Sequence, residues 1–211
     1  MDSSAELTAL VGVGILLTAL FLQSESFVGP LVRGIALQSL LLGWLAWTQQ
    51  SVDLALLAVL AVAVRAGFIP WVLGRQIRAF RWRLREVHAA QRVTGHALAA
   101  VALAIVAWFV FQETLASIFP QPGGALPFVL LVEGLLMLAT RTNTIVQVIG
   151  YLEEENAVVY AGALFAPHFP LFVEVVVFLD VLGVVLVGVI LSIQRDVTGT
   201  PEGSALEELA G

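Results

Sequence analysis

Long apolar stretches separated by short polar joints dominate the chain. Seven of these stretches are predicted to be membrane-spanning helices, at residues 5–22, 29–48, 52–73, 95–117, 126–140, 142–166 and 169–194. Most approach the 20 or so apolar residues that a bilayer-spanning helix needs. The fifth is shorter, so it is either a span with little tilt or one that shares a break with the sixth near residues 141–144. The pattern predicts an all-α, polytopic transmembrane helix bundle of about seven spans.

The placement of arginine predicts the orientation of the bundle. All ten basic residues are Arg, and the densest run lies at residues 75–92, after the third stretch. Loops retained in the cytoplasm are enriched in Arg and Lys, so this run is predicted to lie inside, with the N-terminus out and the C-terminus in. Arg33, Arg141 and Arg195 then also fall at inner ends. A six-span alternative, with residues 153–155 as a loop, would send Arg195 outside.

The composition agrees with a membrane protein and narrows the chemistry. Of the 211 residues, 59% are hydrophobic and only 12% are charged, and a soluble domain usually has about twice that charged fraction. The absence of Cys excludes disulfides and thiolate-held cofactors on this chain. Three scattered His residues do not predict a metal site. We therefore expect no catalytic residue, cofactor or metal on this chain, and no nucleic-acid partner.

Three regions are expected along the chain. Residues 1–125 are predicted to form a four-helix membrane region with a cytoplasmic Arg-rich segment at 74–94. Residues 126–194 are predicted to form a three-helix region, and residues 195–211 a polar cytoplasmic tail. The run at 75–92 is predicted to be an amphipathic helix on the inner membrane surface. It either anchors to lipid headgroups or docks a cytoplasmic module.

Ionisable residues inside the predicted spans are functional candidates, because a charge near the bilayer centre costs at least about 2.5–3.5 kcal/mol. The candidates for a proton pathway are Glu155, Asp180, Glu174, Glu133 and Glu153. A helix rise of about 1.5 Å per residue places Glu155 and Asp180 near the middle of consecutive antiparallel spans, where they could approach each other. Arg65 is the expected counter-ion. The alternative is that these carboxyls are protonated and only hydrogen-bond to a neighbouring helix.

Residues of the fifth to seventh stretches carry a resemblance to a known family. The pattern Gly-Tyr/Leu-x-x-x-Glu-Asn falls on Gly150, Tyr151, Glu155 and Asn156. The pattern Pro-x-x-Val-Glu followed by Asp falls on Pro170, Val173, Glu174 and Asp180. In these motifs the chain resembles the hydrogenase-4 component E family, over roughly its last third. The first three stretches resemble the family only in hydropathy and length, and Glu153 and Glu154 extend its usual single Glu before Asn.

The resemblance implies a membrane subunit of a nickel–iron hydrogenase complex of the formate hydrogenlyase type. The last three helices of that family are similar to subunit K of respiratory complex I, which carries two intramembrane glutamates in a lateral proton path. The resemblance places those roles at Glu155 or Glu153, and at Glu174 or Asp180. The nickel–iron and iron–sulfur chemistry would lie on other chains.

The sequence therefore predicts a non-catalytic, multi-pass subunit in the inner membrane of a prokaryotic cell. It would belong to a respiratory hydrogenase or complex-I-like oxidoreductase and help to move protons or Na⁺. The expected partners are antiporter-like and quinone- or hydrogenase-anchoring membrane subunits, a cytoplasmic hydrogenase or electron-transfer module, and lipid. Two alternatives stay open: a structural spacer without ion transport, and a small membrane component of a multisubunit cation/proton antiporter.

Overall fold

The computed structural model describes residues 3–48, 52–79, 90–141 and 143–165, together with the single positions Gly183 and Val185. These residues form helices joined by short turns, so the all-α class is confirmed for the described part of the chain. The α-helices are α1 (Ser3–Ser24), α2 (Val28–Thr48), α3 (Val52–Leu60), α4 (Ile69–Ala79), α5 (Ala90–Thr114), α6 (Ala125–Thr140) and α7 (Thr144–Phe165). A π-helical segment, Ala61–Phe68, joins α3 to α4.

Two helical stretches are long and apolar enough to cross a membrane, Val28–Thr48 and Thr94–Thr114. Shorter apolar helices lie at Leu10–Ser24 and Ala125–Thr140. The first six predicted stretches each overlap a helix of the structure. The seventh, at 169–194, and the tail at 195–211 lie outside the described residues except for Gly183 and Val185.

The third predicted stretch is longer than expected and changes its winding. Helix continues from Val52 through the π-helical segment to Ala79, whereas the sequence predicted an end near residue 73. Pro70, just after the π-helical segment, has no N–H and its ring crowds the preceding turn, and a wider turn accommodates both effects. Residues 75–79 therefore continue α4, and 90–92 begin α5; the middle of the predicted surface helix lies outside the described residues.

The helices pack as an antiparallel bundle with two apolar layers. One layer joins the end of α1, the start of α2, α4, the end of α6 and the start of α7; its members include Leu22, Leu31, Ile69, Met137 and Ile149. The other joins α1, the end of α2, the start of α6 and the second half of α7; its members include Ile15, Leu45, Leu130 and Tyr160. The arginines Arg33, Arg75 and Arg141 belong to the segments that meet at the first layer, so they share one end of the bundle.

A break at residues 141–143 separates α6 from α7. Arg141 caps α6 in an extended conformation, with φ −88° and ψ 136°. Its guanidinium Nη2 donates to the Gln23 carbonyl at 2.6 Å, which fastens the end of α6 to the end of α1. The Asn143 Oδ1 accepts from the Ile145 N–H at 2.9 Å and starts α7. The sixteen-residue α6 and the longer α7 are therefore antiparallel neighbours with a tight joint.

Large apolar side chains cover much of the outer surface. Those on α1 include Leu10, Val13 and Leu17, and those on α5 include Leu98, Ile105 and Phe109. Soluble monomers rarely expose contiguous apolar patches of this kind. Since several polar side chains are buried inside the same bundle, the distribution of polarity is that of a protein whose outside contacts an apolar phase.

Candidate functional site

A group of buried polar side chains lies at the middle of the bundle, and we call it the central polar cluster. Its members are Gln38 and Ser39 on α2, Arg65 in the π-helical segment, Glu133 on α6, and Glu153, Glu155 and Asn156 on α7. None is more than 2% exposed. Each lies near the midpoint of its helical stretch. Glu155, for example, is eleven residues beyond Thr144, about 16 Å along the helix axis.

Arg65 joins the π-helical segment to α7. Its Nη2 lies 3.6 Å from Glu155 Oε2, an ion pair whose two side chains are both 2% exposed. Its Nη1 donates to Asn156 Oδ1 at 3.2 Å. One guanidinium therefore contacts two consecutive residues of α7. The planar fork of donors that arginine carries suits this arrangement better than a lysine ammonium would.

Asn156 extends the network from Arg65 to α2. Its Nδ2 donates to Gln38 Oε1 at 2.8 Å and lies 3.2 Å from the Ser39 hydroxyl. The same hydroxyl is 3.4 Å from Asn156 Oδ1. A typical hydrogen bond contributes about 0.5–1.5 kcal/mol net, but leaving a buried partner unsatisfied costs about 1–3 kcal/mol. Asn156 is thus the junction at which α2, the π-helical segment and α7 are held in register.

Glu133 and Glu153 form the second half of the central polar cluster. Both side chains are 0% exposed. The Glu153 carboxyl lies beside the Gln38 side chain and close enough to Glu133 and Glu154 for their charges to interact. Within the described residues, no group donates a hydrogen bond of full geometry to the carboxyl oxygens of Glu133 or Glu153. The Arg65 ion pair is with Glu155, so these two carboxyls differ from Glu155 in their surroundings.

Two glycines bring α6 and α7 into close contact beside these acids. A Cβ at Gly134 would lie 2.7 Å from Glu154 Cγ and 2.8 Å from the Gly150 carbonyl oxygen. A Cβ at Gly150 would lie 3.0 Å from the Leu138 amide nitrogen and 3.1 Å from the Gly134 carbonyl oxygen. Backbone atoms cannot give way as a flexible side chain can, so glycine is required at this crossing. The crossing places Glu133 directly against α7.

The predicted site residues fall into two groups. Glu133, Glu153, Glu155 and Arg65 meet in the central polar cluster, with Arg65 as the counter-ion of Glu155. Asp180 and Glu174 lie outside the described residues. Gly183, three positions beyond Asp180 in the sequence, is buried against Glu155: a Cβ there would lie 3.2 Å from Glu155 Oε1.

The sequence analysis missed Gln38 and Ser39, and it used Asn156 only as part of a motif. A signal for them was available. Gln38 and Ser39 are the neutral polar residues at the centre of an otherwise apolar α2, and buried polar side chains need hydrogen-bond partners. Of the described residues, no group of three or more His, Cys, Asp or Glu side chains is arranged to hold a metal ion.

Comparison with known proteins gives one relative and no function. No protein-family model matches the chain, and no solved structure matches it. The chain is similar to the uncharacterized protein Rv0085 of Mycobacterium tuberculosis, with 29% identity over 165 residues that cover 74% of each chain. That name carries no activity, so the resemblance to hydrogenase-4 component E stays a prediction.

Proposed function

We propose that the chain is a multi-pass subunit of a prokaryotic membrane oxidoreductase, either a respiratory hydrogenase or a complex-I-like enzyme. In this proposal it has seven spans, with the N-terminus out and the C-terminus in, and it helps to move protons or Na⁺. The observation that carries the proposal is the central polar cluster: buried carboxyls and one arginine at the midpoints of helices whose outer faces are apolar. Ionisable groups held at that depth mark ion pathways in membrane proteins.

The distribution of arginine supports the proposed orientation. Arg33, Arg75 and Arg141 share one end of the bundle, because the segments that carry them meet at one apolar layer. The opposite end includes the turn at residues 115–124 between α5 and α6, which has no Arg or Lys. Positive residues concentrate on the cytoplasmic side of membrane proteins. The Arg-bearing end is therefore the cytoplasmic end in this proposal.

Proton transfer through the cluster would use the difference between Glu155 and its neighbours. Arg65 stabilises the Glu155 carboxylate by an ion pair. Glu133 and Glu153, with no complete hydrogen bond from the described residues, are costly to keep charged and would accept a proton in exchange for neutrality. A proton arriving at Glu153 could thus be passed on towards Glu155, releasing Arg65 from its partner. Asp180 would continue the path on the next span, as the sequence predicted.

The experiment is a measurement of proton uptake in proteoliposomes that contain the intact complex, alongside turnover with artificial electron carriers. Glu155→Gln, Glu153→Gln, Glu133→Gln and Asp180→Asn each keep the side-chain shape but cannot carry a proton. We expect each variant to assemble and to turn over artificial carriers, with fewer protons moved per turnover. Glu155→Asp, which still titrates, should keep part of the transport. Glu113→Gln is the matched control, because Glu113 is exposed on α5.

Two results would favour the alternatives. Wild-type proton-to-electron ratios in all four amide variants would make the chain a structural spacer, whose buried acids only hold helices together. Proton movement driven by a Na⁺ gradient in the absence of any electron donor would instead favour a component of a multisubunit cation/proton antiporter. Identification of the chains that co-purify separates the same possibilities independently, since hydrogenase subunits accompany only the first.

A further inference from the structure

We propose that the groove between α1 and α2 binds one anionic phospholipid, with its phosphate on Arg33 and an acyl chain along the apolar walls. The groove has a volume of about 410 Å³. Its lining residues are Leu17, Thr18, Phe21, Pro30, Arg33, Gly34 and Leu37. The inference rests on the membrane location in the proposed function, but not on ion transport.

The position of Arg33 fits the headgroup of a lipid. Arg33 is five residues beyond Val28, the first residue of α2, which is about 8 Å along the helix axis. A long arginine side chain can place its stem against apolar surface and extend its charge towards the membrane interface. The Arg33 side chain is exposed, unlike the buried Arg65 and Arg141. It is therefore available to an anion that approaches along the membrane surface.

The chemistry of the groove selects an anion attached to a hydrocarbon chain. Apart from Arg33, the lining is almost entirely apolar, and the Thr18 hydroxyl already donates to the Ile15 carbonyl at 2.7 Å. The nearby acid at the same joint, Glu25, is occupied, because its Oε1 accepts the N–H groups of Ser26 and Phe27 at 2.7 and 2.9 Å. A single positive charge at the rim of an apolar groove is complementary to a phospholipid and not to a free phosphate.

The shape of the groove depends on close packing behind it. A Cβ at Gly34 would lie 2.7 Å from Leu22 Cδ2 and 3.3 Å from the Phe21 ring. The missing side chain at position 34 thus lets α1 and α2 approach at the floor of the groove, while Leu17 and Leu37 stand exposed as its walls. Lipid tails occupy such grooves between helices because the chain replaces bulk lipid contacts at little cost.

The test is native mass spectrometry of the full chain, with whatever subunits accompany it, after exchange into nanodiscs. One set contains phosphatidylglycerol in phosphatidylcholine, and the other contains phosphatidylcholine alone. We expect the wild type to retain phosphatidylglycerol in preference to phosphatidylcholine through release from the nanodisc. Arg33→Gln should retain about fivefold less phosphatidylglycerol, since a surface arginine attracts anionic lipid with roughly 1 kcal/mol. Leu37→Trp, which fills the groove and keeps the charge, should lower retention of the same lipid.

The controls distinguish this site from general attraction and from the proposed transport. Arg75→Gln removes an equally exposed charge that lies 6.0 Å from the Trp71 ring centre and outside the groove, and it should retain phosphatidylglycerol as the wild type does. Glu155→Gln should affect proton uptake and not lipid retention. Equal retention by Arg33→Gln and the wild type overturns the proposal. Unchanged lipid together with loss of a co-purifying protein in Arg33→Gln also overturns it, and makes the groove a protein interface.

Discussion

The guanidinium of Arg65 lies 3.6 Å from the Glu155 carboxylate, although the two residues are ninety positions apart in the chain and sit on different helices. Both side chains are almost completely buried. Two features allow the approach: the π-helical segment that carries Arg65, and the hydrogen bonds that fix Asn156 beside Glu155. π-helical turns often occur at functional sites. The pair links the third helical stretch to the acid-bearing α7 at the depth where both are midway along their length.

Removing one partner of this pair should destabilise the protein strongly. Arg65→Gln leaves the Glu155 carboxylate buried without its cation, and such a loss costs about 3–5 kcal/mol. The double variant Arg65→Gln/Glu155→Gln leaves no unpaired charge, so it should recover most of that loss. Thermal unfolding followed by tryptophan fluorescence in detergent measures both. A double variant no more stable than Arg65→Gln would show that the two side chains do not stabilise each other.

The crossing of α6 and α7 should be intolerant of even one methyl group at Gly134. Gly134→Ala places a Cβ within 3 Å of Glu154 and of backbone atoms of α7, and overpacking of this kind typically costs about 1–3 kcal/mol. The control is Gly95→Ala on α5, where nothing lies within 4 Å of the new Cβ. That change should be neutral or stabilising by up to about 1 kcal/mol, because alanine favours helix over glycine. Equal melting temperatures for the two variants would contradict the close crossing.

Hydropathy predicted most of the described helices because burial and length leave a one-dimensional record. The stretches at 29–48 and 126–140 match α2 and α6 within a residue or two. The end of α4 at Ala79 was missed, since polar residues such as Arg75 and Gln76 continue a helix without continuing its apolar pattern. The number of spans and their orientation are still predictions, because the last predicted stretch lies outside the described residues.

The central polar cluster was predictable in part. Depth along the helices singled out Glu133, Glu153 and Glu155, and Arg65 followed as the cation at comparable depth. The identity of each partner was not available, because it depends on which faces of α2, α7 and the π-helical segment meet. Gln38 illustrates the point: only the packing of α2 on α7 shows that its Oε1 accepts from Asn156.

Cysteine labelling tests the orientation directly, and the absence of native Cys makes it clean. Gln76→Cys or Ala79→Cys, on α4 near the Arg-rich run, should react with a membrane-impermeant maleimide only after the inner face is opened. Gln121→Cys lies in the turn between α5 and α6, where Gln121 is exposed, and should react in intact cells. The reverse pattern would invert the bundle. Reaction of both positions from the same side would contradict the antiparallel arrangement of α4 and the α5–α6 turn across a membrane.

Asn156→Asp separates a structural role of the cluster from a role in moving charge. Asn156 Oδ1 accepts from Arg65 Nη1 at 3.2 Å, so an aspartate there becomes a second carboxylate on the same guanidinium and competes with Glu155. The Nδ2 donor to Gln38 Oε1 is lost, but rotation of the Gln38 amide can supply a donor in its place. We therefore expect assembly and soluble electron transfer to persist, while proton uptake per turnover in proteoliposomes falls.

Ser39→Ala is the matched control for Asn156→Asp. It removes a hydroxyl that contacts Asn156 at 3.2–3.4 Å without adding charge near Arg65. Its expected effect is a fall in stability of about 1 kcal/mol, the usual contribution of one hydrogen bond, with an unchanged proton-to-electron ratio. If Asn156→Asp lowers the melting temperature as Ser39→Ala does and leaves that ratio unchanged, then competition for Arg65 does not affect transport. The Arg65–Glu155 pair would in that case serve only to hold α7 against the π-helical segment.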